Sequence, residues 1–212
     1  MRAADDYEYD VFVSYRRAGN AQRWVEKHFA PTLRDCLAYE LRTPKGVFFD
    51  AQLDEGITWP PALGHKLARS RILLSLWSRQ YLHSTWCAME LAHMRAREAA
   101  LGLRTARNPG GLIAIAIIHD GEEMPPALRD IQTFEIPYEY FNTRMREDSR
   151  EAAGLETLLR DKAPALARMI ESAPAFRSGW ATKAAKRFYA AFKARTAPSQ
   201  TERVSFTRGR RR

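Results

Sequence analysis

Ser84-Thr85-Trp86-Cys87-Ala88-Met89-Glu90 follows the apolar run Ile72-Leu73-Leu74-Ser75-Leu76-Trp77. The run reads as a buried strand and the stretch after it opens a helical pattern to about Ala100. Ser84 or Thr85 suits the helix N-cap, because a side-chain oxygen there accepts from a free backbone N–H. Trp86 and Glu90 are four apart, so on a helix they share one face. A carboxylate and a large aromatic plane then stand together near the C-terminal end of a strand, the edge where open α/β sheets bind ligands. A plainer reading is also available: a Trp packing the helix onto the sheet, and a solvated Glu.

The strand–helix alternation continues in both directions. Tyr9-Asp10-Val11-Phe12-Val13-Ser14-Tyr15 reads as a first strand, ended by the polar loop Arg16-Arg17-Ala18-Gly19-Asn20. Helical spacing over residues 21–41 (Trp24, Val25, Phe29, Leu33, Leu37, Leu41) predicts a helix that Pro31 kinks or splits. Gly46-Val47-Phe48-Phe49-Asp50 is a short second strand. The loop over residues 51–61 carries Leu53, Ile57 and Trp59 among turn-formers, which points to a binding surface or to side chains tucked back on the core. A short helix over 62–68, a third strand over 70–77 and the Trp86/Glu90 helix follow. Leu112–Ile118 has no polar face, so it is a strand buried on both sides. Ile131–Ile136, stopped by Pro137, is a fifth strand at the sheet edge. The pattern predicts an α/β, flavodoxin-like parallel five-stranded sheet with helices on both faces. A C-terminal helical extension follows. The expected division is a domain over residues 1–150, a helical extension over 151–194 and a basic tail over 195–212.

Totals bound the function classes. The 212 residues are 45% hydrophobic and 28% charged, as in soluble globular proteins. No apolar run approaches the roughly 20 residues that span a bilayer, so no membrane partner is expected. The N-terminus lacks the apolar core of a signal peptide. Two cysteines, Cys36 and Cys87, indicate neither a disulfide framework nor a cysteine zinc site, and fit a reducing, cytoplasmic setting. The net charge of +9 divides into +5 from residue 195 onward, six arginines against Glu202, and +4 for residues 1–194. The tail can solubilise or touch nucleic acid, and nucleic acid is not the expected partner. The chain has neither a phosphate-binding P-loop nor a G-x-G-x-x-G turn, no H-E-x-x-H and no G-x-S-x-G elbow, so no metal and no bound cofactor is expected.

Several separated stretches together resemble one family. Asp10-Val11-Phe12-Val13-Ser14-Tyr15-Arg16-Arg17 is similar to the opening box of TIR domains. Phe48-Phe49-Asp50 and Leu53-Asp54-Glu55-Gly56 resemble their second strand and the loop after it. Residues 70–78, then Tyr81, Ser84, Trp86-Cys87 and Glu90, resemble the third strand and the W-C-x-x-E box. The match is ordered from residue 9 to about 136; the family's late Phe-Trp box is not evident.

The family holds both enzymes and scaffolds. Its enzymes cleave NAD between nicotinamide and ribose, with a Glu four residues after a Trp, as in Trp86 and Glu90. An animal enzyme of the family carries the same Ser-Tyr-Arg-Arg as residues 14–17. The resemblance implies Glu90 as the catalytic carboxylate, with NAD as substrate. It implies a substrate-binding set of Trp86, Ser14, Tyr15, Arg16, Arg17, Asp50, Glu55 and Gly56. Trp86 would pack on the nucleotide or order Glu90, Tyr15 would stack on a ring, and Arg16 or Arg17 would pair with the pyrophosphate. Asp50, Glu55 and Gly56 would serve a neighbouring copy's site. It further implies self-association, with Leu53, Ile57 and Trp59 at the contact, and an upstream sensor, in a role such as bacterial immunity or effector action. The alternative is a non-catalytic TIR adaptor that docks partners through the 51–61 loop.

Overall fold

The computed structural model describes residues 6–50, 61–78, 81–118 and 124–177. Leu53, Glu55, Gly56, Ile57 and Trp59, the helix expected over 180–194 and the basic tail lie outside the described residues.

Five strands form one parallel sheet: β1 (Tyr9–Tyr15), β2 (Val47–Phe49), β3 (Ser70–Trp77), β4 (Ile113–Ile117) and β5 (Gln132–Glu135). Their order is β2-β1-β3-β4-β5. This is the flavodoxin-like order, and it reverses direction at β1, opening a crevice beside β3 at the C-terminal strand ends. The central strands are apolar almost throughout because helices cover both faces. Val11, Val13, Ile72, Leu74, Ala114 and Ala116 pack on one side; Phe12, Leu73, Ile113 and Ile115 pack on the other. β5 is an edge strand and correspondingly open to solvent.

The helices divide between the faces. α1 (Ala21–Trp24), a π turn (Val25–Phe29) and α2 (Ala30–Glu40) cover the Val11 side. The π turn lies where Pro31 was expected to disturb the helix. A proline ring clashes with the carbonyl four residues earlier, and a wider turn there relieves the clash. α3 (Pro61–Ala68) and α4 (Thr85–Ala100) cover the Phe12 side, with Leu63, Leu67, Cys87, Leu91 and Met94 turned inward.

α5 (Arg150–Glu171) returns to the first face and lies along α2. Leu155, Leu159, Ala163, Leu166, Ala167 and Ile170 form its buried stripe, and the helix runs through Pro164 unbroken. Burying each leucine contributes about 1.5–3 kcal/mol. At its start Gly154 sits against the Tyr140 ring, where an added Cβ would come within 2.4 Å of the ring. Tyr140 is held in turn, its carbonyl accepting from Trp24 Nε1 at 2.7 Å. The segment after β5 thus shares the core of the sheet.

Candidate functional site

Ser14 and Ser75 are buried polar residues in the C-terminal halves of β1 and β3, each flanked by apolar neighbours. β1 and β3 pair in parallel with Ser14 opposite Ser75, so both side chains point to the same face. That is the α4 face, close to the C-terminal edge of the sheet.

α4 brings the carboxylate to them. Its N-cap is Ser84, whose Oγ accepts from Cys87 N at 3.4 Å. One turn further, Glu90 points back toward β1 and is only 5% exposed. Glu90 Oε2 accepts a 2.5 Å hydrogen bond from Ser14 Oγ. The Tyr81 hydroxyl, from a 3₁₀ turn over Tyr81–His83, lies 2.6 Å from Ser14 Oγ and 3.0 Å from Ser75 Oγ. The Tyr81 ring is fully buried and stacks on Trp77 with centroids 5.0 Å apart. Four groups therefore stand in a row: Glu90, Ser14, Tyr81, Ser75.

Burial sets the electrostatics. Loss of water pushes the Glu90 carboxyl up from 4.5 to about 8; the Ser14 hydrogen bond opposes this, the Asp50 charge adds to it and Arg17 opposes it. Burial also pushes the hydroxyls of Tyr81 and Tyr15 above the usual tyrosine range. Glu90 is thus largely protonated near pH 7, close to a balance that a nearby cation or entering water would tip.

Arg17 and Asp50 close the rim. They form an ion pair with both side chains mostly buried, and the Arg17 guanidinium carbon lies 5.9 Å from the centroid of the half-buried Trp86 ring. Tyr15 donates its hydroxyl proton to the Asp50 carbonyl at 2.8 Å. In this conformation the Tyr15 ring belongs to the core, and Arg17 is engaged by Asp50 rather than held open for a phosphate. Arg16 is half-buried beside them. The fold brings Glu90, Trp86, Ser14, Tyr15, Arg17 and Asp50 to one corner of the sheet. Glu55 and Gly56 fall outside the described residues.

Tyr81 and Ser75 belong to this group, although sequence reasoning gave neither a site role. A signal was present: a serine at the same height in each of two apolar, neighbouring strands. Among the described residues no three His, Cys, Asp or Glu side chains converge as a metal site requires.

Comparison with known proteins follows this geometry. No curated protein matches the chain. Among solved structures the chain is similar to the TIR domains in the activated Roq1 resistosome directly recognizing the pathogen effector XopQ. The identity is 18% and the TM-score 0.35, over 88% of this chain and 98% of that one. A likeness of that size carries no argument about activity or assembly. The TIR-domain family profile matches residues 11–159, more than half of the sequence, and takes in every described site residue from Ser14 to Glu90. With its five parallel strands in the flavodoxin-like order and this match across them, the chain belongs to the TIR-domain family.

Proposed function

We propose that the protein is a TIR-domain NAD glycohydrolase. It cleaves the bond between nicotinamide and ribose, releasing nicotinamide and either ADP-ribose or a cyclic ADP-ribose product. The observation that carries the reading is Glu90: a buried carboxyl at the ligand-binding edge, bonded to a hydroxyl rather than to a cation, beside Trp86. Such an uncompensated acid is costly in a purely structural role and useful in a site.

The chemistry follows from the leaving group. Nicotinamide departs from a cationic ring that takes the bonding electron pair and becomes neutral, so no general acid is needed, unlike most glycoside cleavage. The ribose carbon gains positive charge instead. Ionised Glu90 accepts hydrogen bonds from ribose hydroxyls and offsets that charge in a site with little water. Water, or an internal nucleophile of the nucleotide, then takes the vacant position on the ribose carbon. The pyridinium ring also favours ionised Glu90, because a nearby cation lowers a carboxyl's pKa.

Access requires the Arg17–Asp50 pair to move, since Asp50 leads directly into the 51–61 loop. Self-association through Leu53, Ile57 and Trp59 is the step that moves it, with an upstream sensor as the trigger in an immune or effector setting. The same closure favours a second reading, a TIR adaptor in which Glu90 is a buried remnant. The two separate when the purified chain, concentrated or crowded, is incubated with NAD and the products are resolved by chromatography. Nicotinamide together with ADP-ribose or its cyclic form supports the enzyme. No release at any concentration supports the adaptor. Trp59→Ala then tests the assembly step, which is abandoned if that variant both assembles and turns over normally.

A further inference from the structure

We propose that Ser14 and Tyr81 are positioning residues for Glu90: with Ser75 they form a buried hydrogen-bond chain that ends on Glu90 Oε2 and supports its ionised form. The inference rests on the reading of Glu90 as the carboxylate that meets the ribose, and extends it to the hydroxyls lined up behind that carboxylate.

Ser14, Tyr81 and Ser75 each own one hydroxyl proton, and three contacts link them with Glu90, at 2.5, 2.6 and 3.0 Å. When Glu90 is ionised it can only accept. Ser14 then donates to Glu90, and the Tyr81 hydroxyl, which donates to Ser75, can turn its proton to Ser14 instead. A protonated Glu90 gains a donor and keeps an acceptor oxygen, so it no longer requires the Ser14 proton. Each hydroxyl only turns about its C–O bond, so no hydroxyl O–H bond breaks. All four groups are buried. Both protonation states keep Glu90 Oε2 beside Ser14.

The state matters because only the ionised one serves the ribose. In that state Ser14 presents a donor to the carboxylate, and Tyr81 behind it strengthens the donor by polarising it. The other groups acting on Glu90 are Asp50, at the end of β2, and Arg17, after β1. Tyr15 on β1, and Tyr81 itself with Cys87 on α4, complete the titratable set around the row. Of these, Tyr81 bonds Ser14.

The test is a ¹³C NMR titration of the full chain carrying labelled glutamate, without NAD. The Glu90 carboxyl signal is assigned by its disappearance in Glu90→Gln. The wild-type midpoint is expected at about 8. Ser14→Ala should raise it by about one pH unit, a tenfold loss of ionised carboxylate at a given pH. Tyr81→Phe keeps the ring on Trp77 and should raise it by a smaller amount; Ser75→Ala, across the longest contact, should raise it least. In turnover by Tyr81→Phe and Ser75→Ala, the rising limb of the pH profile should move in the same order while the plateau kcat is kept. A general loss of packing would lower the plateau and leave the midpoint in place. Wild-type midpoints in both Ser14→Ala and Tyr81→Phe overturn the proposal. If Ser14→Ala does not fold, Tyr81→Phe alone decides it. If the midpoints move and no variant or wild type releases nicotinamide, the row stands and the glycohydrolase reading falls.

Discussion

The helix α4 carries buried charge at both ends, and the two ends are treated differently. Near its C-terminus, Glu98 is 2% exposed and surrounded by donors: Arg104 Nε at 2.8 Å, Leu112 N at 2.6 Å and Arg95 at 3.3 Å. Its neighbour Arg97, 1% exposed, donates to the Ser70 carbonyl and to the Tyr7 hydroxyl. On the same lower edge of the sheet, buried Asp10 accepts from Lys45 N and Gly46 N. These three charges tie strands and loops together. Glu90, two turns nearer the N-terminus, is equally hidden yet bonded to one hydroxyl, and burial pushes its carboxyl up. Buried charges that meet two or more hydrogen-bond partners hold the lower edge of the sheet; the acid bonded to a single hydroxyl stands at the edge where ligands bind.

The largest stability effect belongs to the lower edge. Glu98→Gln strips the charge from the centre of that network and leaves Arg104 half-satisfied, so unfolding by urea should show a loss of about 3 kcal/mol. Glu90→Gln should do the reverse. A carboxyl whose pKa rises from 4.5 to about 8 on folding keeps its proton while the unfolded chain gives its proton up. Stability therefore falls as pH rises from about 4.5 to about 8, and levels off above. Glu90→Gln removes that fall. Its advantage over wild type should be near zero at pH 4.5 and grow steadily up to about pH 8, followed by denaturation at both. An equal response of the two variants to pH would erase the distinction between the ends.

Smaller effects sharpen the upper edge. Asp50 pushes the Glu90 carboxyl up and Arg17 pulls it down. Asp50→Asn should therefore lower the Glu90 titration midpoint and Arg17→Ala raise it, each by less than about one unit, in the same NMR titration. The smallest change is at the lower edge again. Tyr7→Phe removes a hydroxyl that donates to the Pro174 carbonyl at 2.6 Å and accepts from Arg97. About 1 kcal/mol should be lost in denaturant unfolding, with the Glu90 midpoint unmoved.

Much of the fold was legible because its strands advertise themselves. β1, β3 and β4 are short apolar runs bounded by turn residues, and their observed limits lie within a residue or two of those read from the sequence. Pro31 announced the break in the first helical stretch, though not that a π turn would make it. That Trp86 and Glu90 share one face of α4 was legible from spacing, whereas a site role for them was implied only by the resemblance to TIR domains. The partners of Glu90 were not, because Ser14, Ser75 and Tyr81 meet only once β1 and β3 are in register and the turn before α4 has folded. Arg97 and Glu98 were illegible for a related reason. Charged residues on an amphipathic helix look alike in sequence, and only the tertiary contacts decide which are buried.

On the glycohydrolase reading proposed above, the charge of Glu90, and not α4's stock of acids in general, drives departure of nicotinamide. The direct measurement is nicotinamide release at pH 8 by wild type, Glu90→Gln and Glu98→Gln, at equal concentrations of folded protein under assembling conditions. The account predicts release by wild type and by Glu98→Gln at similar rates, with Glu90→Gln slower by on the order of 10²-fold or more. Release by Glu90→Gln at the wild-type rate would contradict it.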